Sequence, residues 1–280
     1  MRRHAMILTL ALVVPSAAFA DEADAHYRSG LAYKQQGKTD EAIGEFLEAI
    51  KLRKDYAAAE FSLGVTYKMR NEMQPAVDHL EKAVKLQPKT ADAHASLGMA
   101  YYGLGKTDDA IRELDRAVEL NPNNATWQSS LGKLYREKKD YGKAIPHLEQ
   151  AVLLDPKDAG ALSNLGVAYR QTNKINEAEK YFQKAIEIKP DWADVHFNLG
   201  VVYRRQQKTQ EAIAEYEKAI KLDDRMAVAH YDLGVMYAQQ KRNDEAVREW
   251  NRYLDLKGMQ DPKEADVVRK HIKELGGTPH

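Results

Sequence analysis

The chain has 280 residues, 44% of them hydrophobic and 30% charged, which fits one or two ordinary domains or one long repeat array. Its 42 basic and 42 acidic residues cancel, so overall charge gives no reason to expect a nucleic acid or an anionic membrane as partner. The absence of cysteine excludes a disulfide framework, a cysteine-ligated metal site and a lipid-bearing cysteine.

The N-terminal segment differs in kind from the rest of the chain. Arg2 and Arg3 precede an apolar run, and small residues ending in Ala18-Phe19-Ala20 precede Asp21. This order predicts a secretory signal peptide over residues 1–20, cut after Ala20. The apolar run is roughly half the ~20 residues that span a bilayer as a helix, so a retained anchor is the alternative. The expected product is a soluble periplasmic or secreted protein with a formal charge of −2, because the segment carries two arginines and no acid.

From residue 23 onward a Leu-Gly-x-x-Tyr motif returns every 34 residues. A unit this short cannot bury an apolar face alone, so neighbouring units must stack around one continuous core. The motif predicts seven repeats within residues 21–260, followed by a C-terminal segment over residues 261–280. The repeats begin at Ala23, Ala57, Ala91, Ala125, Ala159, Ala193 and Ala227, and each of these alanines is position 1 of its repeat.

Two helical stripes occupy each repeat. Positions 4, 7, 8 and 11 share one side of a first helix, helix A, and positions 20, 24, 27 and 28 share one side of a second, helix B. The glycine at position 8 is expected to let helix B approach closely, which would offset its cost in a helix. Gly37, Gly105, Asn71 and Asn173 mark where helix A is expected to end. Each repeat is therefore predicted to be a helical hairpin.

A further helix is predicted after the last repeat. Asp261 is a candidate N-cap, Pro262 the first helical residue and Glu264 a capping-box partner. Ala265, Val268, Ile272 and Leu275 then fall on one face. The expectation is a helix that covers the end of the repeat array; a partner-binding helix is the alternative.

These residues resemble the tetratricopeptide repeat family, whose pattern has leucine and glycine at positions 7 and 8, tyrosine at 11, alanine at 20 and 27, and proline at 32. The resemblance covers residues 23 to about 260 and weakens at the ends, where Ser29, Tyr253 and Gly258 depart from the pattern. It implies an all-α, right-handed superhelical solenoid of seven helix-turn-helix repeats with a capping helix. It says little about which partner is bound.

Catalytic chemistry is not expected. Gly105-Lys106-Thr107 lacks the earlier glycine and the preceding strand of a phosphate loop. Four histidines share position 4, where a whole repeat separates one from the next, which is too far for one metal ion; a structural role between helix A and helix B is expected instead. These are His26, His94, His196 and His230. The sequence predicts no enzyme activity, no cofactor and no metal.

The resemblance implies that positions 5, 9 and 12 of helix A line a concave groove. Position 9 is apolar in six repeats, position 12 is largely basic, and position 5 is aromatic toward both ends. The alternative is that the basic residues only solvate helix A and form weak surface pairs. The predicted partner-binding groove comprises Tyr27, Lys34, Phe61, Lys68, Tyr102, Lys133, Arg136, Asn164, Val167, Arg170, Phe197, Asn198, Val201, Arg204, Arg205 and Tyr231.

Asn164 and Asn198, at position 6, resemble part of the asparagine ladder with which some family members hold a peptide backbone. Asp232 follows in the next repeat, so the ladder is at best partial. The family's carboxylate clamp is not reproduced, because its lysine at position 5 and asparagine at position 9 are absent.

The resulting hypothesis is a periplasmic adaptor that holds a partner segment with apolar and acidic side chains, to assemble or position an envelope complex. A self-associating homo-oligomeric scaffold is the second hypothesis. An enzyme or small-ligand binder is the third, and it needs a convergent polar site that the sequence does not offer.

Overall fold

The computed structural model describes residues 16–257, 260 and 262–280, and side chains from residue 21 onward. These residues form fifteen α-helices and no strand. They divide into two units, one ending at Pro122 and one spanning Asn123–His280. The predicted signal peptide falls mainly on residues 1–15, outside the described part, as do Gly258 and Asp261.

The first unit consists of three helical hairpins. Its helices are α1 Ser16–Gln35, α2 Thr39–Leu52, α3 Ala57–Met69, α4 Met73–Leu86, α5 Ala91–Gly103 and α6 Thr107–Leu120. Odd-numbered helices are the helix A of each repeat and even-numbered ones are helix B. Within this unit α2 also packs on α3 and α4 on α5, and fully buried leucines such as Leu63, Leu80 and Leu114 fill the interior. The hairpin predicted for each repeat is confirmed here.

The second unit contains four further hairpins and one more helix. Its helices are α7 Ala125–Glu137, α8 Tyr141–Leu154, α9 Ala159–Gln171, α10 Ile175–Ile188, α11 Ala193–Arg205, α12 Thr209–Leu222, α13 Ala227–Gln239, α14 Asn243–Lys257 and α15 Pro262–Glu274. The apolar face of α15 joins the core of α13 and α14 through Ala265, Val268 and Ile272. The predicted C-terminal helix is thus present, and its apolar face covers α14.

The glycine at position 8 of a repeat lies where the two helices of the hairpin approach each other closely. A Cβ atom built on Gly98 would lie 2.9 Å from Leu114 Cγ and 3.0 Å from the carbonyl oxygen of Ala110. Real Cβ atoms do not approach backbone so closely without a shift of the neighbouring helix. The predicted role of glycine in helix packing is confirmed.

The turn between helix A and helix B uses one left-handed residue at position 15. Gly37, Gly105, Asn71 and Asn173 have φ between 61° and 74°, as predicted for the end of helix A. Lys139, Gln207 and Lys241 also have positive φ, of 61°, 60° and 59°, although neither side chain type suggests it. In each case the next backbone N–H donates to the carbonyl of the position 11 tyrosine, as Asp140 N does to Tyr135 O at 2.9 Å.

Polar pairs join helix A to helix B inside several repeats. Each histidine at position 4 places Nδ1 against a glutamate carboxylate at position 23 of the same repeat. The distances are 2.7 Å for His26–Glu45, 2.8 Å for His94–Glu113, 2.6 Å for His196–Glu215 and 2.7 Å for His230–Glu249. These contacts place all four rings at the predicted interface between helix A and helix B.

None of the helices in the described residues combines the length and the apolar character that crossing a membrane requires. Helix α1 begins at Ser16, so it runs through the predicted cleavage point after Ala20.

Candidate functional site

The predicted groove residues of the first unit lie along α1, α3 and α5. Tyr27 packs its ring 5.9 Å from Phe46 and 5.1 Å from Tyr56, so much of it serves the core. Lys34 and Lys68 are half-buried; burial lowers the pKa of both, and the nearby Lys34 lowers that of Lys68 further. Phe61 and Tyr102 are half-exposed. This surface therefore presents two partly desolvated ammonium groups close to each other.

In the second unit the predicted residues begin on α7. Lys133 and Arg136 both approach the carboxylate of Glu137, each at 3.8 Å, and Arg136 keeps its Nε buried without a hydrogen-bond partner. The distance is long for a charge-assisted hydrogen bond. Arg136 thus keeps one unused hydrogen-bond donor on α7.

A group of charged side chains lies together on α9, α11 and α13. Arg204 Nη1 lies 3.2 Å from Asp232 Oδ1, and Arg205 Nη1 donates to the carbonyl oxygen of Arg170 at 3.1 Å. Arg170 has no carboxylate within ion-pair distance among the described residues, and its Nε is buried without a partner. We call Arg170, Arg204, Arg205 and Asp232 the guanidinium cluster. It holds three cations against one carboxylate.

The electrostatics of the guanidinium cluster reflect this imbalance. Burial, followed by the neighbouring Arg205 and Arg204, lowers the pKa of Arg170. Burial raises the pKa of Asp232, although Arg204 and a hydrogen bond from Tyr216 oppose that effect. Tyr216 donates to Asp232 Oδ2 at 3.4 Å. A second carboxylate arriving from outside would relieve the repulsion among the guanidinium groups.

A cleft of about 530 Å³ adjoins the guanidinium cluster at the end of α13. Phe197, Val228, Tyr231 and Tyr253 supply its apolar wall, and Val228 is 53% exposed. Asp232, Lys257 and Glu264 supply its polar groups. Phe197 and Tyr231 belong to the predicted groove, whereas the other residues were not among the sequence-predicted ones.

Position 9 contributes less free surface than its composition suggests. Val201 is 5% exposed and belongs to the core, and Leu31 and Val235 pack against buried clusters of their units. Val167 remains half-exposed, and Met99 is 37% exposed. The apolar residues at this position therefore serve packing in part.

The two asparagines at position 6, Asn164 and Asn198, differ in the hydrogen bonds that their side chains make. The amide of Asn198 donates to the carbonyl oxygen of Asp194 at 2.7 Å, within its own helix, so this donor is already used. Asn164 is half-buried on α9. Asp232 occupies the third rung and pairs with Arg204 instead. A partner backbone would find fewer amide donors here than the sequence suggests.

The site as a whole offers guanidinium groups, an aromatic cleft and amide groups. Such groups bind carboxylates and apolar side chains. Within the residues that the structure describes, no group of three or more histidine and acidic side chains could hold a metal ion.

Comparisons with known proteins identify the family and the fold. A family model described as the cilia and flagella-associated protein 70 C-terminal domain, a tetratricopeptide repeat model, matches residues 8–231. A comparison with curated protein sequences gives no match.

Solved structures share the fold. YrrB, described as a tetratricopeptide repeat protein with an unusual peptide-binding site, is 24% identical with a TM-score of 0.62, over 66% of this chain and 95% of that one. MamA is 30% identical with a TM-score of 0.55, over 57% of this chain and 94% of that one. PilF of Pseudomonas aeruginosa is 22% identical with a TM-score of 0.64, over 78% and 99%.

Stacked helical hairpins with an accessible helix A surface define an α-helical repeat protein of the class that binds other proteins. The chain belongs to the tetratricopeptide repeat family. Members of this family are typically non-enzymatic scaffolds for protein–protein interaction.

Proposed function

We propose that this protein is a periplasmic adaptor that holds a segment of an envelope protein on the helix A surface, and thereby assembles or positions an envelope complex. The observation that carries the proposal is the guanidinium cluster beside the aromatic cleft. Two of its three cations, Arg170 and Arg205, have no carboxylate partner among the described residues. A surface that only solvated helix A would pair its cations with neighbouring acids, as the exposed residues Arg112 and Asp109 do at 2.8 Å.

Two further points support the proposal. The YrrB structure, whose fold this chain shares, is described as having a peptide-binding site. The N-terminal pattern of charge, apolar run and small residues supports export with cleavage after Ala20. Cleavage there would shorten α1 to residues 21–35.

Capture of envelope proteins tests the function. Tagged mature protein is incubated with an envelope extract, and the bound proteins are identified by mass spectrometry. The triple variant Arg136→Glu, Arg170→Glu and Arg204→Glu is expected to lose the specific partner while keeping its helical circular dichroism. The matched control reverses three exposed lysines on helix B, Lys180, Lys184 and Lys221. Equal capture by both variants would contradict a role for the helix A surface.

Export is tested separately. Intact-mass measurement of the protein recovered from the periplasmic fraction should show a chain that starts at Asp21. A chain that retains residues 1–20 in the membrane fraction would contradict this part of the proposal.

Self-association remains the competing function. Light scattering on the mature protein distinguishes the two, because the adaptor hypothesis needs no second copy. A concentration-dependent increase in mass that is abolished by truncating α15 would favour the scaffold.

A further inference from the structure

The guanidinium group of Arg170 has hydrogen-bonding capacity that the described residues do not use. It is half-buried, its Nε donor is buried without an acceptor, and no carboxylate of the described residues lies within ion-pair distance. Buried donors normally have a partner in the protein or in bound solvent. A partner supplied from outside the chain would complete this site.

The other two guanidinium groups are held in place around Arg170. Arg205 is anchored by its hydrogen bond to the Arg170 carbonyl oxygen, and Arg204 by its ion pair with Asp232. Ordering these long side chains beforehand reduces the entropy that a ligand would otherwise lose on binding. The three groups therefore form a receptor whose formal charge, with Asp232 counted, is +2.

The aromatic cleft belongs to the same continuous surface. Asp232 lines the cleft and also accepts from Arg204, so one side chain touches both parts. Phe197, on the cleft wall, lies on the same face of α11 as Arg204, two helical turns earlier. A single short segment can therefore contact the cleft and the guanidinium groups together.

We propose that the guanidinium groups of Arg170 and Arg205 bind a carboxylate of the partner segment, while the cleft between Phe197 and Tyr231 takes a bulky apolar side chain of the same segment. This inference rests on the proposed adaptor function and defines the chemistry of its ligand. The recognised segment combines one glutamate or aspartate with one aromatic or large aliphatic residue.

The cluster itself shows why a carboxylate suits it. Asp232 already accepts hydrogen bonds from Arg204 and Tyr216. The site therefore binds a carboxylate of its own chain through an arginine, as we propose for the carboxylate of the partner segment. The planar fork of arginine matches the two oxygens of a carboxylate. A polyanion such as a nucleic acid would instead need many cations in sequence, and Asp232 and Glu264 would repel it.

Arginine side-chain NMR tests the assignment directly. The Nε–Hε signals of Arg170, Arg204 and Arg205 are assigned with Arg→Lys variants in protein labelled with ¹⁵N. The probes are short glycine–serine peptides carrying one phenylalanine and one glutamate at varied separations. Matched peptides carry glutamine in place of glutamate, or alanine in place of phenylalanine.

The expected result is a shift of the Arg170 and Arg205 signals with at least one peptide that carries both residues. The affinity should fall about ten-fold or more when glutamate becomes glutamine, and likewise in the Arg170→Gln, Arg205→Gln double variant. Phe197→Ala should weaken binding only of peptides that carry phenylalanine. Equal shifts with the glutamine peptides, or no shift up to millimolar peptide, would overturn the assignment.

Inorganic phosphate serves as a second probe. Shifts of Arg170 at lower concentrations of phosphate than of any glutamate peptide would reassign the site to phosphorylated ligands and overturn the carboxylate assignment.

Failure of this inference can be told apart from failure of the adaptor function. If the double glutamine variant captures the same envelope partner as the wild-type protein, the carboxylate site is wrong while the adaptor function stands. If the peptides bind as expected but no envelope protein is captured, the adaptor function fails while the site chemistry stands.

Discussion

The imidazole ring of His196 lies between two acceptors, with Nδ1 2.6 Å from the Glu215 carboxylate and Nε2 2.8 Å from the carbonyl oxygen of Pro190. His94 and His230 repeat the arrangement, with Nε2 3.1 Å from the carbonyl oxygens of Pro88 and Asp224. Each of the three rings therefore has an oxygen atom of the protein beside both of its nitrogens. The pair thus ties helix A to its own helix B and to the end of the preceding repeat.

Removing His196 from the His196–Glu215 pair should destabilise the fold, since Glu215 is only 8% exposed and would lose its partner inside the protein. We expect His196→Leu to lower the free energy of unfolding by about 2 kcal/mol, because it removes a charge-assisted hydrogen bond from a buried carboxylate. Urea denaturation followed by circular dichroism measures the change. The residual ion pair of Glu215 with Lys218, at 2.7 Å, limits the effect.

The fifth repeat supplies the matched control. It has Leu162 and Tyr181 at the two equivalent positions, and Tyr181 stacks on Tyr169 with ring centroids 5.6 Å apart. The double variant His196→Leu, Glu215→Tyr should therefore recover most of the lost stability. A double variant less stable than the single one would show that leucine and tyrosine cannot replace the His196–Glu215 pair in this repeat.

Three tyrosines at position 11 each donate a hydrogen bond to a glutamate of the preceding helix B. Because of these bonds, we expect the folding stability to fall at alkaline pH. Tyr101, Tyr169 and Tyr237 bond to Glu81, Glu149 and Glu217. Burial first, and the carboxylate second, raise the pKa of each phenol. A raised pKa in the folded chain means that stability is fully present below the ordinary tyrosine value near 10 and is lost as the pH rises through the folded value.

We expect Tyr237→Phe to lower the free energy of unfolding by about 1 kcal/mol at pH 8, because Glu217 loses its donor. The difference between variant and wild type should shrink above about pH 10, since only the wild-type phenol can ionise. Urea denaturation at both pH values measures this. Tyr33→Phe is the control, since the hydroxyl at this position of α1 has no carboxylate partner among the described residues. An unchanged difference at high pH would contradict the assignment.

Much of the fold was predictable because it depends on spacing alone. The alanine at position 1 begins helix A in α3, α5, α7, α9, α11 and α13, and Gly98 meets Leu114 as the repeat phase requires. Repeats of equal length place equivalent residues in equivalent environments. One correct phase therefore predicts the packing of many residues at once.

The candidate site was predictable only in part, because it depends on side-chain rotamers and on the end of the array. The sequence indicates a basic residue at Arg204 but not its pairing with Asp232, because the sequence alone shows Asp232 only as the residue that interrupts the asparagine ladder. Asn198 donates to its own helix, a choice that composition does not reveal. Tyr253, Lys257 and Glu264 reach the cleft from α14 and α15, which lie where the repeat pattern ends.

The left-handed backbone at position 15 allows a prediction about stability. The residue type at Lys241 does not indicate this conformation, which only the structure shows. Lys241 has φ of 59°, and left-handed backbone costs a residue with a Cβ atom about 1–2 kcal/mol. We expect Lys241→Gly to raise the free energy of unfolding by about 0.5–1 kcal/mol, the balance of relieved strain and added unfolded-state entropy. The midpoint of urea denaturation measures the gain.

The neighbouring Gln240 is the control for this substitution. Its φ is −87°, which any residue adopts, so Gln240→Gly should lower stability. Two variants with the same effect would show that strain at position 15 does not limit the stability of this turn.

Asp232 is the carboxylate that competes with the proposed ligand, and its removal should strengthen binding. Asn164 and Asn198 occupy the same position in the two preceding repeats, so Asp232→Asn gives this repeat the residue of its neighbours. The formal charge of the guanidinium cluster rises from +2 to +3, and the amide oxygen still accepts from Arg204. We expect tighter binding of glutamate peptides, by about ten-fold at low salt, with the gain falling as salt screens it.

The pH dependence of stability distinguishes this effect from a change in folding. Burial raises the pKa of Asp232, so its contribution to stability is fully present below the ordinary aspartate value near 3.9 and is lost as the pH rises through the folded value. Relative to wild type, Asp232→Asn should therefore gain stability as the pH rises above about 4. Glu187→Gln, which removes one exposed negative charge from α10, is the control and should change neither property. Peptide affinity that is unchanged in Asp232→Asn would show that this carboxylate does not compete for the guanidinium groups.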